Sequence, residues 1–282
     1  MPGTGAGPAL VHAGRRVAAL AVVVALAACA PRAPGATPAR DLTPKDHFVA
    51  LYEQLHPSVV SFTMQKPADD PKRKGEWDDA FGSGVVVESG RWGSRILTAA
   101  HVVSGARDIV ATIGDGAHAA AHVVAQSGAD PDRDIDVAIV AVDVPNQKPA
   151  RLGTIAHLEP GTPIGLLGYP IPDVFDDMKV GRTASLYAGR LASIRKGTLE
   201  IGITLVGGES GGPVFDATTG EVIGLANSSF EDERSIGFAT PIDVAERFLA
   251  AHPRAAAANE TAVRARLRAT SRAVPPNRRS HG

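Results

Sequence analysis

The chain has 282 residues, 44% of them hydrophobic and 21% charged, with a formal net charge of −1. That balance excludes an intrinsically disordered chain and an integral membrane bundle, and it offers no overall basic surface for nucleic acid. Thirty glycines and 21 prolines favour many turns over long helices.

The N-terminus is a distinct object. Arg15 and Arg16 precede Val17 to Ala28, an unbroken 12-residue run of Val, Ala and Leu. A basic flank before so short an apolar stretch reads as a secretory signal, too short to cross a bilayer as a helix. Leu26-Ala27-Ala28-Cys29 resembles the lipobox of bacterial lipoproteins, in which cleavage leaves a cysteine that carries acyl chains. Cys29 is the single cysteine of the chain, so no intramolecular disulfide can form. The resemblance implies a lipoprotein signal peptide over 1–28, lipid attachment at Cys29 and a place in the bacterial cell envelope. Ala30 after the cysteine, where an aspartate would direct otherwise, points to the periplasmic face of the outer membrane. The competing reading is an ordinary signal peptide with an accidental cysteine near its cleavage site. Residues 29–45 are Pro/Ala-rich, lack periodicity and read as a flexible tether.

Phe48, Leu51, Tyr52 and Leu55 follow i, i+3, i+4, i+7 spacing, which predicts a short helix over 46–55 that Pro57 stops. Val59 to Thr63 begins a strand, and the charged insert from Lys66 to Asp79 reads as a solvent loop. Short β-prone runs then follow one another: 81–88, 95–100, 109–113, an Ala-rich strand carrying His118 and His122, and 135–142. Beyond these come 162–169, 186–194, 199–205, 213–215, 222–226 and 236–239. Many short strands punctuated by Gly and Pro argue for an all-β sandwich or barrel. Helical spacing returns over 242–251 and ends at His252-Pro253, so the folded domain is expected over 46–252. The tail from Arg254 to Gly282 carries seven Arg against one Glu, beside an acidic segment of −9 from Cys29 to Pro253. The tail is read either as an Ala/Arg-rich helix with a disordered end, or as a contact to anionic lipid or to the acidic body. No internal repeat, Cys/His metal cluster, Walker loop or dinucleotide fingerprint stands out, so no metal or cofactor is implied.

Three short segments carry chemistry. In Gly207-Gly208-Glu209-Ser210-Gly211-Gly212-Pro213 a serine sits between glycines on a tight turn. Such a turn can present Oγ while backbone N–H groups converge beside it, although Gly-Ser-Gly also makes an ordinary flexible turn. Serine needs a base, and His101 ends the apolar run Ile96-Leu97-Thr98-Ala99-Ala100 among small neighbours. A buried carboxylate would fix the tautomer of that imidazole. Among Asp130, Asp132, Asp134 and Asp136, only Asp136 opens the alternating strand Val137-Ala138-Ile139-Val140; Asp134 is held in reserve. The oxyanion hole is expected from the N–H groups of Gly208 and Ser210, with no room for a side chain at Gly208.

These blocks, in the order His101, Asp136, Ser210, resemble those of trypsin-like serine peptidases. The likeness runs from about Phe48 to Phe248. Phe81-Gly82-Ser83-Gly84-Val85-Val86, Gly168-Tyr169-Pro170 and Ile236-Gly237-Phe238-Ala239-Thr240-Pro241 bring it nearest to bacterial HtrA/Deg-type protease domains. The resemblance implies two Greek-key β-barrels with the triad in the cleft between them, and peptide hydrolysis through an acyl-enzyme. Family spacing would put Thr204 near the base of the S1 pocket and Asn227 on its wall. Without an acid at 204, an uncharged small or medium P1 side chain is expected. Protein or peptide substrates, a membrane reached through Cys29 and no nucleic acid are the implied partners. Three departures stand out. No stretch after the domain has the length of a PDZ module, so trimer assembly and peptide-activated regulation do not transfer. Glu209 stands where relatives carry Asp or Asn, and the disulfides of secreted animal relatives are missing. The expectation is a lipid-anchored envelope serine endopeptidase. The alternative is a non-catalytic peptide-binding module on the same fold.

Overall fold

The computed structural model describes residues 44–114, 116–128, 135–229 and 236–254, all within one compact unit. Among them the β-prone runs become twelve strands. The first barrel is built from β1 (Val59–Pro67), β2 (Trp77–Gly90), β3 (Gly93–Thr98), β4 (Arg107–Ile113), β5 (Ala117–Gln126) and β6 (Ala138–Val142). The second uses β7 (Pro163–Gly168), β8 (Ser185–Arg195), β9 (Thr198–Ile201), β10 (Pro213–Asp216), β11 (Val222–Ser229) and β12 (Gly237–Pro241). Both close antiparallel, in the orders β1-β2-β3-β6-β5-β4 and β10-β11-β12-β9-β8-β7. The two orders are the same cycle, so the fold repeats where the sequence shows no repeat. Closure removes every edge strand, which suits short strands that could not protect long open edges.

Four α-helices among the described residues accompany the barrels: α1 (Pro44–Leu55), α2 (Ala100–Val103), α3 (Pro172–Asp177) and α4 (Ile242–Ala251). The expected N-terminal helix thus starts two residues earlier than its apolar spacing suggested. α3 was not anticipated, because six residues opening on a proline carry no readable period.

Two apolar cores lie inside the barrels and a third forms the seam between them. Phe62, Val86, Ile96, Ala138 and Val140 fill the first barrel. Ile164, Leu166, Leu191, Leu199 and Val214 fill the second. Val59, Val85, Leu97, Val137 and Ile139 point out of the first barrel and meet Leu167, Phe215, Val222 and Leu225 of the second. Leu51 and Leu55 of α1 and Ile242 and Ala245 of α4 complete that seam. The alternation expected of Val137-Ala138-Ile139-Val140 is therefore real, but neither face meets water. All four residues are buried, odd positions in the seam and even positions in the barrel.

The charged insert is a second difference. β1 and β2 keep pairing past the barrel wall, through Gln65↔Asp79, Lys66↔Asp78 and Pro67↔Trp77. Only 68–76 are left to turn, so the insert is a projecting β-hairpin more than a loop. Arg107 stiffens its neck: Nε and Nη2 donate to Gln65 Oε1 at 3.2 and 2.9 Å, and the guanidinium lies 3.8 Å from the Trp77 ring centroid.

Candidate active site

β3 runs buried to Thr98, and the chain then turns through the one-turn helix α2, which carries His101. The small residues Ala99 and Ala100 make that turn possible against the wall. Asp136 lies two residues before β6 and is 1% exposed. Its Oδ1 accepts the His101 backbone N–H at 2.9 Å, and its Oδ2 lies 2.6 Å from His101 Nδ1. The tautomer in which Nδ1 donates to this carboxylate leaves the Nε2 lone pair of His101 open. Thr240 Oγ1, from the second barrel, reaches the Asp136 carbonyl at 3.5 Å. Asp134 lies outside the described residues.

The Ser210 turn is anchored against the same region. Gly211 has φ +83°, and a Cβ there would stand 2.1 Å from Thr98 Oγ1 and 2.3 Å from Ser83 O. Only glycine lets the turn come this close to the strand that leads to His101. On the other side Gly211 N–H donates to Ala226 O at 2.7 Å and Ala226 N–H to Gly212 O at 2.8 Å, which docks the turn on β11.

Peptide orientation follows from these contacts. Gly207 O accepts the Ile171 N–H at 2.7 Å, and Glu209 O accepts the Gly212 N–H at 2.9 Å. In a trans peptide the N–H points opposite to the C=O, so the Gly208 and Ser210 N–H groups are turned away from those donors. Among the described residues neither N–H has a backbone acceptor. Gly208 holds this arrangement at φ +94°, and a Cβ would lie 2.3 Å from Tyr169 O. A side chain at Gly208 is excluded twice over, by strain and by contact.

Ser210 Oγ is not turned toward His101. It donates to the Asn227 carbonyl of β11 at 3.0 Å. Asn227 is thus beside the nucleophile, through its backbone, while Thr204 is exposed on the chain leading into the turn. Cys29 lies outside the described residues.

Glu209 resolves into a buried group. It is 0% exposed, and its Oε2 accepts the Val206 N–H at 2.9 Å while Oε1 has no hydrogen-bond partner among the described residues. Burial pushes its carboxyl above the ordinary range, with the Val206 N–H and then the Tyr187 hydroxyl opposing. Burial, and next the charge of Glu209, pushes the Tyr187 phenol up in turn.

Sequence reasoning passed over Ser83 as a site residue. Its Oγ donates to Gly208 O at 2.7 Å and accepts the Tyr169 N–H at 2.9 Å, while its N–H donates to Ser210 O at 2.8 Å. Thr98 Oγ1 then closes on Ser83 O at 2.7 Å. The available signal was the frame Gly82-Ser83-Gly84, whose glycines admit Val102, Phe62 and Ile96 where Cβ atoms would clash.

A family model described as a trypsin-like peptidase domain matches residues 82–225, half of the chain. The chain belongs to the trypsin-like peptidase family. Among curated relatives, the putative serine protease HhoB of Synechocystis is 29% identical over 192 residues, covering 64% of this chain and 41% of its own length. A probable periplasmic serine endoprotease, DegP-like, of Halomonas elongata is 30% identical over 177 residues, covering 59% of this chain and 34% of its own length. This trypsin-like chain therefore spans about two fifths or less of those relatives. In fold it is similar to the Rv3671c protease from M. tuberculosis, active form, with a TM-score of 0.58 at 24% identity, over 76% of this chain and 88% of that one. The HtrA-type protease AlgW with tripeptide gives 0.55 at 24% identity, over 71% and 61%. Both likenesses carry the double-barrel fold.

Proposed function

We propose that this trypsin-like chain is a serine endopeptidase of the bacterial envelope, working through His101, Asp136 and Ser210. The observation that carries the reading is the pair of hydrogen bonds from His101 to the Asp136 carboxylate, placed beside a glycine-framed serine where the Gly208 and Ser210 N–H groups lack backbone acceptors among the described residues. Ser210 Oγ leaves Asn227, gives its proton to His101 Nε2 and attacks the substrate carbonyl carbon. Asp136 holds the imidazolium that forms, and the Gly208 and Ser210 N–H groups receive the oxyanion. His101 then protonates the leaving amine, and water, deprotonated by His101, releases the acyl group and restores Ser210. Loss of one oxyanion donor costs about 3–4 kcal/mol in other serine enzymes, a scale that Gly208 shares by this reading.

The uncharged Thr204 leaves the S1 region without a fixed anion, which favours an uncharged P1 side chain, with Asn227 on the wall beside it. Secretion and lipid anchoring at Cys29 rest on residues 15–29, and relatives whose names include periplasmic endoproteases support an envelope setting. A fluorophosphonate probe tests the nucleophile. It should label wild type and leave Ser210→Ala unlabelled; equal labelling of both would remove Ser210 from the role.

A further inference from the structure

His101 is held at more points than the family chemistry requires. Asp136 takes its backbone N–H and its Nδ1. The carbonyl of His101 is taken by a residue from elsewhere: Lys66, whose Nζ donates to it. α2 is a single turn, so the His101 carbonyl finds no partner within its own helix. Lys66 supplies one from the projecting hairpin, half-buried at the foot of that element.

The foot of the hairpin is rigid. Lys66 sits in the ladder opposite Asp78, and the neighbouring Gln65 is clamped by Arg107. Asp78 is already engaged, accepting Arg73 Nη2 and Nη1 at 2.6 and 2.9 Å. Burial, the largest influence, draws the Lys66 ammonium below the ordinary lysine range, and the charges of Asp69 in the hairpin turn and of Asp136 oppose that and favour the ammonium. A half-buried cation therefore stands on the histidine's main chain and within the field of the histidine's carboxylate.

We propose that Lys66 is a positioning residue of the active site. It fixes the His101 main chain from the hairpin, and its charge sets the electrostatic balance of the His101–Asp136 pair. The inference rests on His101 acting as base for Ser210. An ammonium here steadies the Asp136 carboxylate and opposes a second positive charge on the imidazole. Without it, a proton on the ring meets less repulsion, and the base is occupied to higher pH.

The test is the rate of fluorophosphonate labelling of the full chain across pH, for wild type, Lys66→Met, Lys66→Gln and Lys66→Arg. Lys66→Met removes donor and charge together; labelling should slow about tenfold, a modest part of what general-base assistance supplies. Its acidic limb should move up by roughly half a pH unit, the scale of one partly screened charge. Lys66→Gln keeps a donor without charge, so it should show the shifted limb with most of the rate retained. It also carries the test should the Met variant fold poorly. Lys66→Arg should restore both limb and rate. A wild-type limb in the Met and Gln variants overturns the proposal, as does a shifted limb that Arg fails to restore. A wild type that is never labelled overturns the parent assignment of Ser210 instead, which keeps the two failures apart.

Discussion

A buried carboxyl next to the nucleophile sets the terms at Glu209. The folded state keeps its proton at pH values where the unfolded chain, near the ordinary 4.5, has released it. With the acid's value raised on folding, this group favours the fold below that window, and the contribution is lost as pH rises through the raised value. Ionisation as pH rises leaves a buried charge whose Oε1 has no hydrogen-bond partner among the described residues. Glu209→Gln keeps an acceptor for the Val206 N–H and removes the charge. Its melting temperature should exceed that of wild type at pH 8, and the gain should shrink toward pH 4. Thermal unfolding across that range checks it, and a wild type more stable at pH 8 would contradict it. The sequence marked Glu209 as unusual without its cause. The reason lies in long-range packing: Gly168 sits against its Cα and Cβ, and a Cβ there would lie 3.2 Å away.

Elements were legible wherever a local period existed. The phenylalanine and leucines of α1 and the Ile/Val runs of the barrel walls announced themselves. Asp136 could be chosen among its neighbouring aspartates because it alone abuts an apolar run, and it is the one that holds His101. Elements built by contact with distant chain were not legible. The hairpin beyond Gln65 is polar on both strands and reads as a loop until Arg107 is seen across Trp77. α3 likewise depends on its surroundings. Arg182, just beyond it, pairs with Asp176 and reaches back to Thr63 Oγ1 at 2.7 Å, with its guanidinium 5.3 Å from the Phe81 ring centroid. That arginine ties the second barrel to β1 and β2. Ser83 belongs with these cases, since a small residue between two glycines declares a close approach but not what approaches.

At the scale of the molecule, two copies of one strand order enclose separate cores and share a seam, and the site lies along it. Asp136 meets Thr240, and Ser83 binds the Gly208–Ser210 turn, so each barrel positions residues of the other. The seam residue Phe215 is 0% exposed and lies over Gly165, where a Cβ would come within 2.2 Å of its ring. That contact joins β7 and β10, so the second barrel is closely packed behind the face it turns to the seam. Among the described residues no helix is long and apolar enough to cross a membrane. The proposed lipid anchor is Cys29, and Cys29→Ser should move the protein to the soluble fraction with its labelling by fluorophosphonate unchanged. Retention in the membrane fraction would contradict lipid anchoring at that cysteine.

The central claim is peptide-bond cleavage by Ser210, and digestion of a proteome-derived peptide library reads it most directly. Wild type should generate new termini with uncharged residues preferred at P1, and Ser210→Ala should generate none. The same cleavage products from both proteins, or none from a wild type that still binds the peptides, would contradict the account.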